Sequence, residues 1–266
     1  MNNIRIVFID LDGTLRDSKG LISDKSKEII HKLKEIDVYV VFTTGRSIPH
    51  TLKLAKEVSP SPYLITSNGA EIYNYINDDL IYKKVIRKED LLYLNDLINK
   101  YDLRFVANTL KFMYSNKEGK DKVVIVNSIL DIKEEITQVV LQSKDKSLME
   151  PVKKEINGKD TIKISNDSIS TSDNKNLFYD VTKNDVSKGN AIKKLCEYLN
   201  ISIDDTMAIG NSNNDIEMFD VCKYRVAVEN ADDDLKNKAN IITKSNDEDG
   251  VYLILEEVYK EKNKKE

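Results

Sequence analysis

Two acidic side chains one residue apart close the first apolar run of the chain, in Asp10-Leu11-Asp12-Gly13-Thr14-Leu15. If that run is a strand, both carboxylates reach the crevice beyond its carboxyl end, where open α/β sheets bind ligands. Gly13 lets the chain turn away, and Thr14 can tie the turn down through its hydroxyl. Close carboxylates repel each other unless a cation lies between them, and hard oxygen ligands suit magnesium. A polar loop with a glycine turn is the plainer alternative, but it leaves the preceding strand unused.

Three later segments carry groups of matching chemistry. Thr43-Thr44-Gly45-Arg46 puts a hydroxyl, a flexible backbone and a guanidinium at the end of a second apolar run. That combination can cradle a phosphate, although alone a capped helix start explains it equally well. Lys188, in Val186-Ser187-Lys188-Gly189-Asn190, opens a helical segment whose free N–H groups favour an anion. Ile209-Gly210-Asn211-Ser212-Asn213-Asn214-Asp215 again follows a strand-like run. Asp215 can complete a metal site directly or through water, and Asn214 can orient its neighbours. His31 and His50 are the only histidines, and neither has a Ser or Cys partner in a recognisable motif. Carboxylates must therefore carry any acid–base chemistry.

These segments need elements to position them. Short β-branched runs at 4–9, 38–43, 63–66, 206–209 and 224–228 read as buried parallel strands. Helical periodicity alternates with them. Residues 24–36 gather Ile29, Ile30, Leu33 and Ile36 on one face, and 188–199 gather Ala191, Ile192, Leu195 and Leu199 behind Ser187 as N-cap. The alternation predicts an α/β architecture, a doubly wound, Rossmann-like parallel sheet. The interval from Thr66 to Thr206 is far longer than a crossover needs. It holds predicted helices at 88–100 and 131–143, predicted strands at 103–108, 111–115, 123–127 and 161–165, and a polar loop over 165–176. An α+β domain at 83–181, inserted into a core formed by 1–82 and 182–266, accounts for it. Phe105, Phe112, Tyr114 and Phe178 are expected in the insertion's own core rather than against a substrate.

Composition narrows the function. The 266 residues are 40% hydrophobic and 32% charged, which suits a globular protein with a solvated surface. A net charge of -4, with acids scattered among basic pairs such as Lys153-Lys154, argues against a nucleic-acid partner. The basic tail at 260–266 reads as a frayed terminus. No apolar run is long enough to cross a bilayer, and the N-terminus lacks a signal peptide's layout. A cytoplasmic location without a membrane partner is expected. Cys196 and Cys222 lack metal-ligand spacing and are expected as buried, reduced thiols. The sequence leaves the oligomeric state open.

As an ordered set, the four segments resemble the haloacid dehalogenase (HAD) superfamily, specifically its Cof-like phosphatases with a large C2-type cap. Ser67-Asn68-Gly69-Ala70, Ala227-Val228-Glu229-Asn230-Ala231 and Asp249-Gly250-Val251 resemble that subfamily's connecting signatures, and the likeness spans nearly the whole chain. The resemblance implies a magnesium-dependent phosphatase acting on a small phosphorylated metabolite, with a sugar phosphate as first expectation and the insertion as cap. It implies Asp10 as the nucleophile that forms an aspartyl-phosphate and Asp12 as general acid and then base. It assigns Thr44 and Lys188 to the phosphoryl oxygens, with Thr43 a weaker claimant for the hydroxyl role. Gly45, Arg46, Asn68 and Asn214 fall to phosphate or substrate. Magnesium falls to Asp10, Asp12 through its backbone carbonyl, Asn211 and Asp215.

One position departs from the family pattern. The fourth motif usually begins Gly-Asp and here reads Gly210-Asn211, which removes a negative charge from the metal site. Weaker magnesium binding is expected, with Asp215 compensating by moving closer to the ion. A weak or inactive member that binds a phosphorylated ligand without turnover is the alternative. A phosphomutase, in which a second substrate molecule replaces water as acceptor, is a third.

Overall fold

The computed structural model describes Met1 and residues 3–120, 122–169 and 176–264. Strand β1 (Ile6–Ile9) is buried along its whole length, and β2 (Tyr39–Thr43) is buried apart from Tyr39. Strands with no solvated face need cover on both sides, the condition that α/β crossovers satisfy. β1 sits between β2 and β12 (Thr206–Gly210), parallel to both, in an eight-stranded sheet. Beyond β2 follow β3 (Tyr63–Thr66), β4 (Glu71–Asn74) and β5 (Asp79–Lys83). Beyond β12 lie β13 (Tyr224–Ala227) and β14 (Ile241–Ile242). The five expected strands are present. β4 and β5 extend the sheet in antiparallel fashion and were not expected, because Glu71 and Asn74 interrupt the apolar pattern. Both are nevertheless buried. The Glu71 carboxylate accepts from the hydroxyls of Thr66 (2.6 Å), Ser67 (3.2 Å) and Thr137 (2.8 Å), which makes its burial tolerable.

Helix α1 (Asp24–Glu35) buries Ile29, Ile30 and Leu33, and α8 (Gly250–Asn263) packs against it. α5 (Lys188–Leu199) buries Ala191, Ile192 and Leu195 behind its N-cap Ser187, whose hydroxyl accepts the Asn190 N–H at 3.0 Å. α2 (Ile48–Val58), α6 (Ile216–Phe219) and α7 (Asp233–Lys238) complete this part. The tail is less frayed than expected: α8 continues to Asn263, while 265 and 266 lie outside the described residues. Both cysteines are buried, and burial pushes their thiols up to about 12. Among the described residues no helix is long and apolar enough to cross a membrane.

Between β5 and α5 the chain builds a second sheet of six strands, β6 (Arg104–Asn108), β7 (Met113–Ser115), β8 (Val124–Ile125), β9 (Gln138–Ser143), β10 (Ile162–Ile169) and β11 (Leu177–Lys183), in the order β10-β11-β9-β6-β7-β8. Alternation along each strand decides what the two faces do. Phe105, Ala107, Val139, Leu141, Tyr179 and Val181 share one face. They join Leu94 and Leu97 of α3 (Lys88–Lys100) and Met149, Val152 and Ile156 of α4 (Lys146–Asn157) in a separate hydrophobic cluster. The opposite parity, Val106, Asn108, Gln138, Val140, Gln142, Phe178 and Asp180, lines a cleft shared with the large sheet.

Several expectations for this region fail. The segment 131–143 is not a helix: Ile132, Ile136 and Val140 have helical spacing, yet β9 is a central strand in which adjacent Val139 and Val140 face opposite ways. The helix comes one segment later, as α4, which accommodates Pro151. The stretch 165–176 is not all loop, because β10 pairs with β11 as far as Ile169, and 170–175 lie outside the described residues. Phe105 is in the cluster as expected. Tyr114 is half-buried and packs against that cluster, whereas Phe112 is 49% exposed and Phe178 faces the cleft.

Candidate active site

Register brings the first and fourth motifs together. Ile9 pairs with Ile209, and the Asp10 N–H donates to the Ile209 carbonyl at 3.0 Å, so Asp10 lies level with Gly210-Asn211. From β1 the chain winds outward through β2 and β3, and from β12 through β13 and β14, so strand order reverses at this point. Open α/β sheets bind ligands at such a reversal. A cleft of about 580 Å³ opens there, and Asp10, Asp12, Thr44, Gly45, Arg46, Asn211 and Asn214 all line it.

Lys188, 1% exposed, places Nζ 2.7 Å from Asp10 Oδ1 and 2.6 Å from Asp215 Oδ1. The other oxygen of Asp215 accepts the N–H groups of Asn211 (2.9 Å) and Ser212 (3.1 Å). Burial alone would lower the Lys188 ammonium, but the two carboxylates outweigh it and hold it above the ordinary lysine range. At Asp10 burial wins instead: it pushes the carboxyl up to about 7 against the pull of Lys188, with repulsion from Asp215 adding to the rise. Two carboxylates facing one ammonium leave excess negative charge in a buried place.

The main chain around Gly69 sets where Lys188 begins. Gly69 has φ +97°, and a Cβ there would lie 2.2 Å from the Ser187 carbonyl oxygen. Ser67 (φ 50°) and Asn68 (φ 56°) are also left-handed, a region that non-glycine residues rarely adopt. Gly69→Ala should therefore cost about 2 kcal/mol of stability. By displacing the start of α5 it should also cut kcat about a hundredfold. Thermal unfolding and steady-state kinetics on one preparation check both.

Asp12 is half-exposed and accepts from Arg46 Nε (2.5 Å), Arg46 Nη2 (2.8 Å) and Arg16 Nη1 (2.5 Å). Partial burial raises its carboxyl, but the two guanidiniums more than reverse this and hold it below the usual carboxylate range. Arg16 was missed in the sequence, because nothing local showed that the turn after Asp12 folds it back. Thr44 reaches the cleft wall, and its hydroxyl oxygen accepts the Arg46 N–H at 3.2 Å. The Thr43 hydroxyl turns back toward the Val41 carbonyl at 3.4 Å.

A hydrogen-bond chain links Ser212 and Asn214 to Asp180, all three lining the cleft, through buried Asn68. Ser212 Oγ donates to Asn214 Oδ1 (2.6 Å), Asn214 Nδ2 to Asn68 Oδ1 (3.2 Å), and Asn68 Nδ2 to Asp180 Oδ2 (3.0 Å). Asp180, on β11, is pushed by burial up to about 6, with Asn68 and Asn166 holding it back. Sequence reasoning missed Asp180. Its signal was the alternation of Phe178, Asp180 and Thr182 against Tyr179 and Val181.

Among the described residues no three His, Cys, Asp or Glu side chains gather as a metal cage. Oxygen donors lining the cleft include the Asp10 carboxylate and the Asn211 amide, whose Oδ1 accepts from Thr14 Oγ1 at 2.9 Å. Gly13, at φ +80°, lets Asn211 approach, since a Cβ there would lie 2.6 Å from Asn211 Nδ2. An all-oxygen set beside buried excess negative charge fits a hard dication.

The signature of the haloacid dehalogenase-like hydrolase family matches residues 7–255. The chain belongs to that family. A Bacillus subtilis protein named 5-amino-6-(5-phospho-D-ribitylamino)uracil phosphatase YcsE is 30% identical over 249 residues, 94% of this chain and 93% of that protein. A second one from that organism, YwtE, with the same activity in its name, is 27% identical over 289 residues, 96% of this chain and 98% of its own. The crystal structure of a haloacid dehalogenase-like hydrolase from Bacteroides thetaiotaomicron matches with a TM-score of 0.85 at 24% identity, covering 96% of this chain and 99% of that one. This HAD hydrolase is a phosphoric monoester hydrolase with a parallel-sheet core, as the resemblance implied.

Proposed function

We propose that this HAD hydrolase is a magnesium-dependent phosphatase that acts on a small phosphorylated metabolite through an aspartyl-phosphate on Asp10. The observation that carries the reading is the buried Lys188 ammonium, which bridges Asp215 to Asp10, itself on the wall of a cleft that Thr44, Gly45 and Arg46 also line. With Oδ1 of Asp10 held by Lys188, Oδ2 attacks phosphorus. The bond from phosphorus to the leaving oxygen breaks, and that oxygen takes the proton of Asp12. Water then attacks the phosphorus of the acyl phosphate, Asp12 takes the water's proton, and inorganic phosphate leaves with Asp10 restored. Thr44, the Gly45 backbone and Lys188 hold phosphoryl oxygens. Asp12 carries a proton only once its guanidinium partners turn elsewhere, and the substrate's phosphate is the group that draws Arg46 away. Asn68 and Asn214 position the substrate against Asp180.

Asp10, the Asp12 carbonyl and Asn211 would hold magnesium, which would supply positive charge between an anionic nucleophile and an anionic substrate. Asp215, with one oxygen on Lys188 and the other on the Asn211 and Ser212 N–H groups, would hold the Asn211 loop and add negative charge beside the ion. Asn211→Asp restores a ligand charge and should tighten magnesium binding about tenfold. Calorimetric titration decides, and an unchanged affinity counts against Asn211 as the weak point. Residues 83–181 act as the cap on a core of 1–82 and 182–266, excluding water and reading the non-phosphate part of the substrate.

Release of phosphate from p-nitrophenyl phosphate, with magnesium and with chelator, tests the reading. Turnover that needs both magnesium and Asp10 supports it, whereas phosphate-ester binding without turnover favours the non-catalytic alternative. A second reading takes 5-amino-6-(5-phospho-D-ribitylamino)uracil as the substrate. Two relatives carry that activity in their names, and Phe178 and Met113 offer apolar surface on the cleft wall for a pyrimidine.

A further inference from the structure

We propose that Asn108 and Gln138 form a specificity subsite that binds a neutral, hydroxyl-rich part of the substrate and turns away one bearing a second anionic group. The inference rests on the phosphatase reading and deepens it. The two residues are direct partners in the β6–β9 ladder, with both side chains on the cleft wall. They are 4% and 0% exposed. Asn108 Nδ2 donates to Gln138 Oε1 at 2.7 Å. That bond consumes one N–H and one oxygen, and Asn108 Oδ1 and Gln138 Nε2 are left buried without a partner. Turning both amides over exchanges the roles and still leaves one acceptor and one donor.

Buried amides are ordinarily satisfied, so an unsatisfied pair on the wall of a binding cleft is completed by a ligand. A diol does this without bringing charge, one hydroxyl donating to the free oxygen and the other accepting from the free N–H. The surroundings argue against an anion. Asp180 lines the same wall, next to the apolar Val106 and Val140, while the basic Arg46 and His50 belong to the opposite side, where the phosphate goes. The subsite is also held in place: the Asn108 carbonyl accepts the Thr137 N–H at 3.0 Å, and the Thr137 hydroxyl donates to buried Glu71 of the large sheet.

Sorbitol 6-phosphate, 6-phosphogluconate and hexyl phosphate share a six-carbon chain and differ in hydroxyls and charge. The wild-type protein should favour the first about a hundredfold in kcat/KM over either of the others. Asn108→Leu with Gln138→Met removes the hydrogen bonds at similar volume. It should lower kcat/KM for sorbitol 6-phosphate about a hundredfold and leave hexyl and p-nitrophenyl phosphate within about threefold. No wild-type preference for sorbitol 6-phosphate, or an equal loss on all four esters, overturns the subsite. Retained aryl-phosphate turnover shows that the variant is folded, and its absence from the wild-type protein overturns the phosphatase reading instead. If the double variant does not fold, Gln138→Met alone, with about a tenfold loss confined to sorbitol 6-phosphate, decides the same question.

Discussion

Lys188→Met should destabilise the protein by about 3–5 kcal/mol and abolish phosphate release, because it strands two buried carboxylates without a countercharge. Asp10 and Asp215 lie 2.7 and 2.6 Å from the ammonium, and none of the three side chains is more than slightly exposed. The sign of the pH dependence follows from linkage. The folded-state value of Lys188 is raised, so its contribution is fully present below the ordinary lysine value of 10.5 and is lost only as pH rises through the folded value. Without the ammonium the carboxylates favour their protonated forms in the folded state, so the variant loses stability as pH rises from the carboxylate range toward neutrality. Urea denaturation at about pH 5 and about pH 8 should show the deficit growing with pH. A variant as stable as wild type at the higher pH would show that the bridge carries no net electrostatic weight.

The core was legible because each of its strands is a short run of apolar, β-branched residues with nothing to dilute it. β1 is buried on both faces, so Ile6–Ile9 reads as a strand from composition alone. Asp10, Thr44, Asn68 and Asn211 each follow such a run, so locating the strand located the residue. The half-buried second sheet was harder. Its signal is a period of two, and in β9 the apolar Val139, Val140 and Leu141 blur that period, so helical spacing from Ile132 onward won by default. β4 was lost for a different reason. A buried glutamate contradicts the usual pattern, and only the three hydroxyls that reach Glu71 explain it.

Within the site, what stayed hidden were partnerships, and with them Arg16 and Asp180, which only their partners bring to the cleft. Lys188 stands at a helix start, where the sequence marks it as an anion binder, but its two carboxylate partners stand 178 and 27 positions away along the chain. Asn68 meets Asp180 across 112 positions, and Asn108 meets Gln138 across 30. Tertiary pairing of this kind leaves no local trace. The alternation that puts Gln138, Val140 and Gln142 on one face was the available clue, and a helical reading of 131–143 erased it.

Asp10→Asn should lose at least about ten-thousandfold in kcat yet fold as stably as the wild type, or more so. An amide cannot form the acyl phosphate, so the chemical step fails even though the side chain keeps its shape. Stability moves independently. The wild-type site sets two buried carboxylates against one ammonium, and burial already pushes Asp10 up to about 7, so its ionised form is held there at a cost. Removing that charge leaves Asp215 and Lys188 as a balanced pair, a trade of stability for function common at active sites. Magnesium separates this account from a merely structural one. Millimolar magnesium should raise the melting temperature of the wild type and do little for Asp10→Asn, because the variant has lost the charged ligand. Retained turnover in the variant would move the nucleophile elsewhere. A large loss of stability would make Asp10 part of the scaffold, and an equal magnesium response in both proteins would put the metal somewhere other than beside this carboxylate.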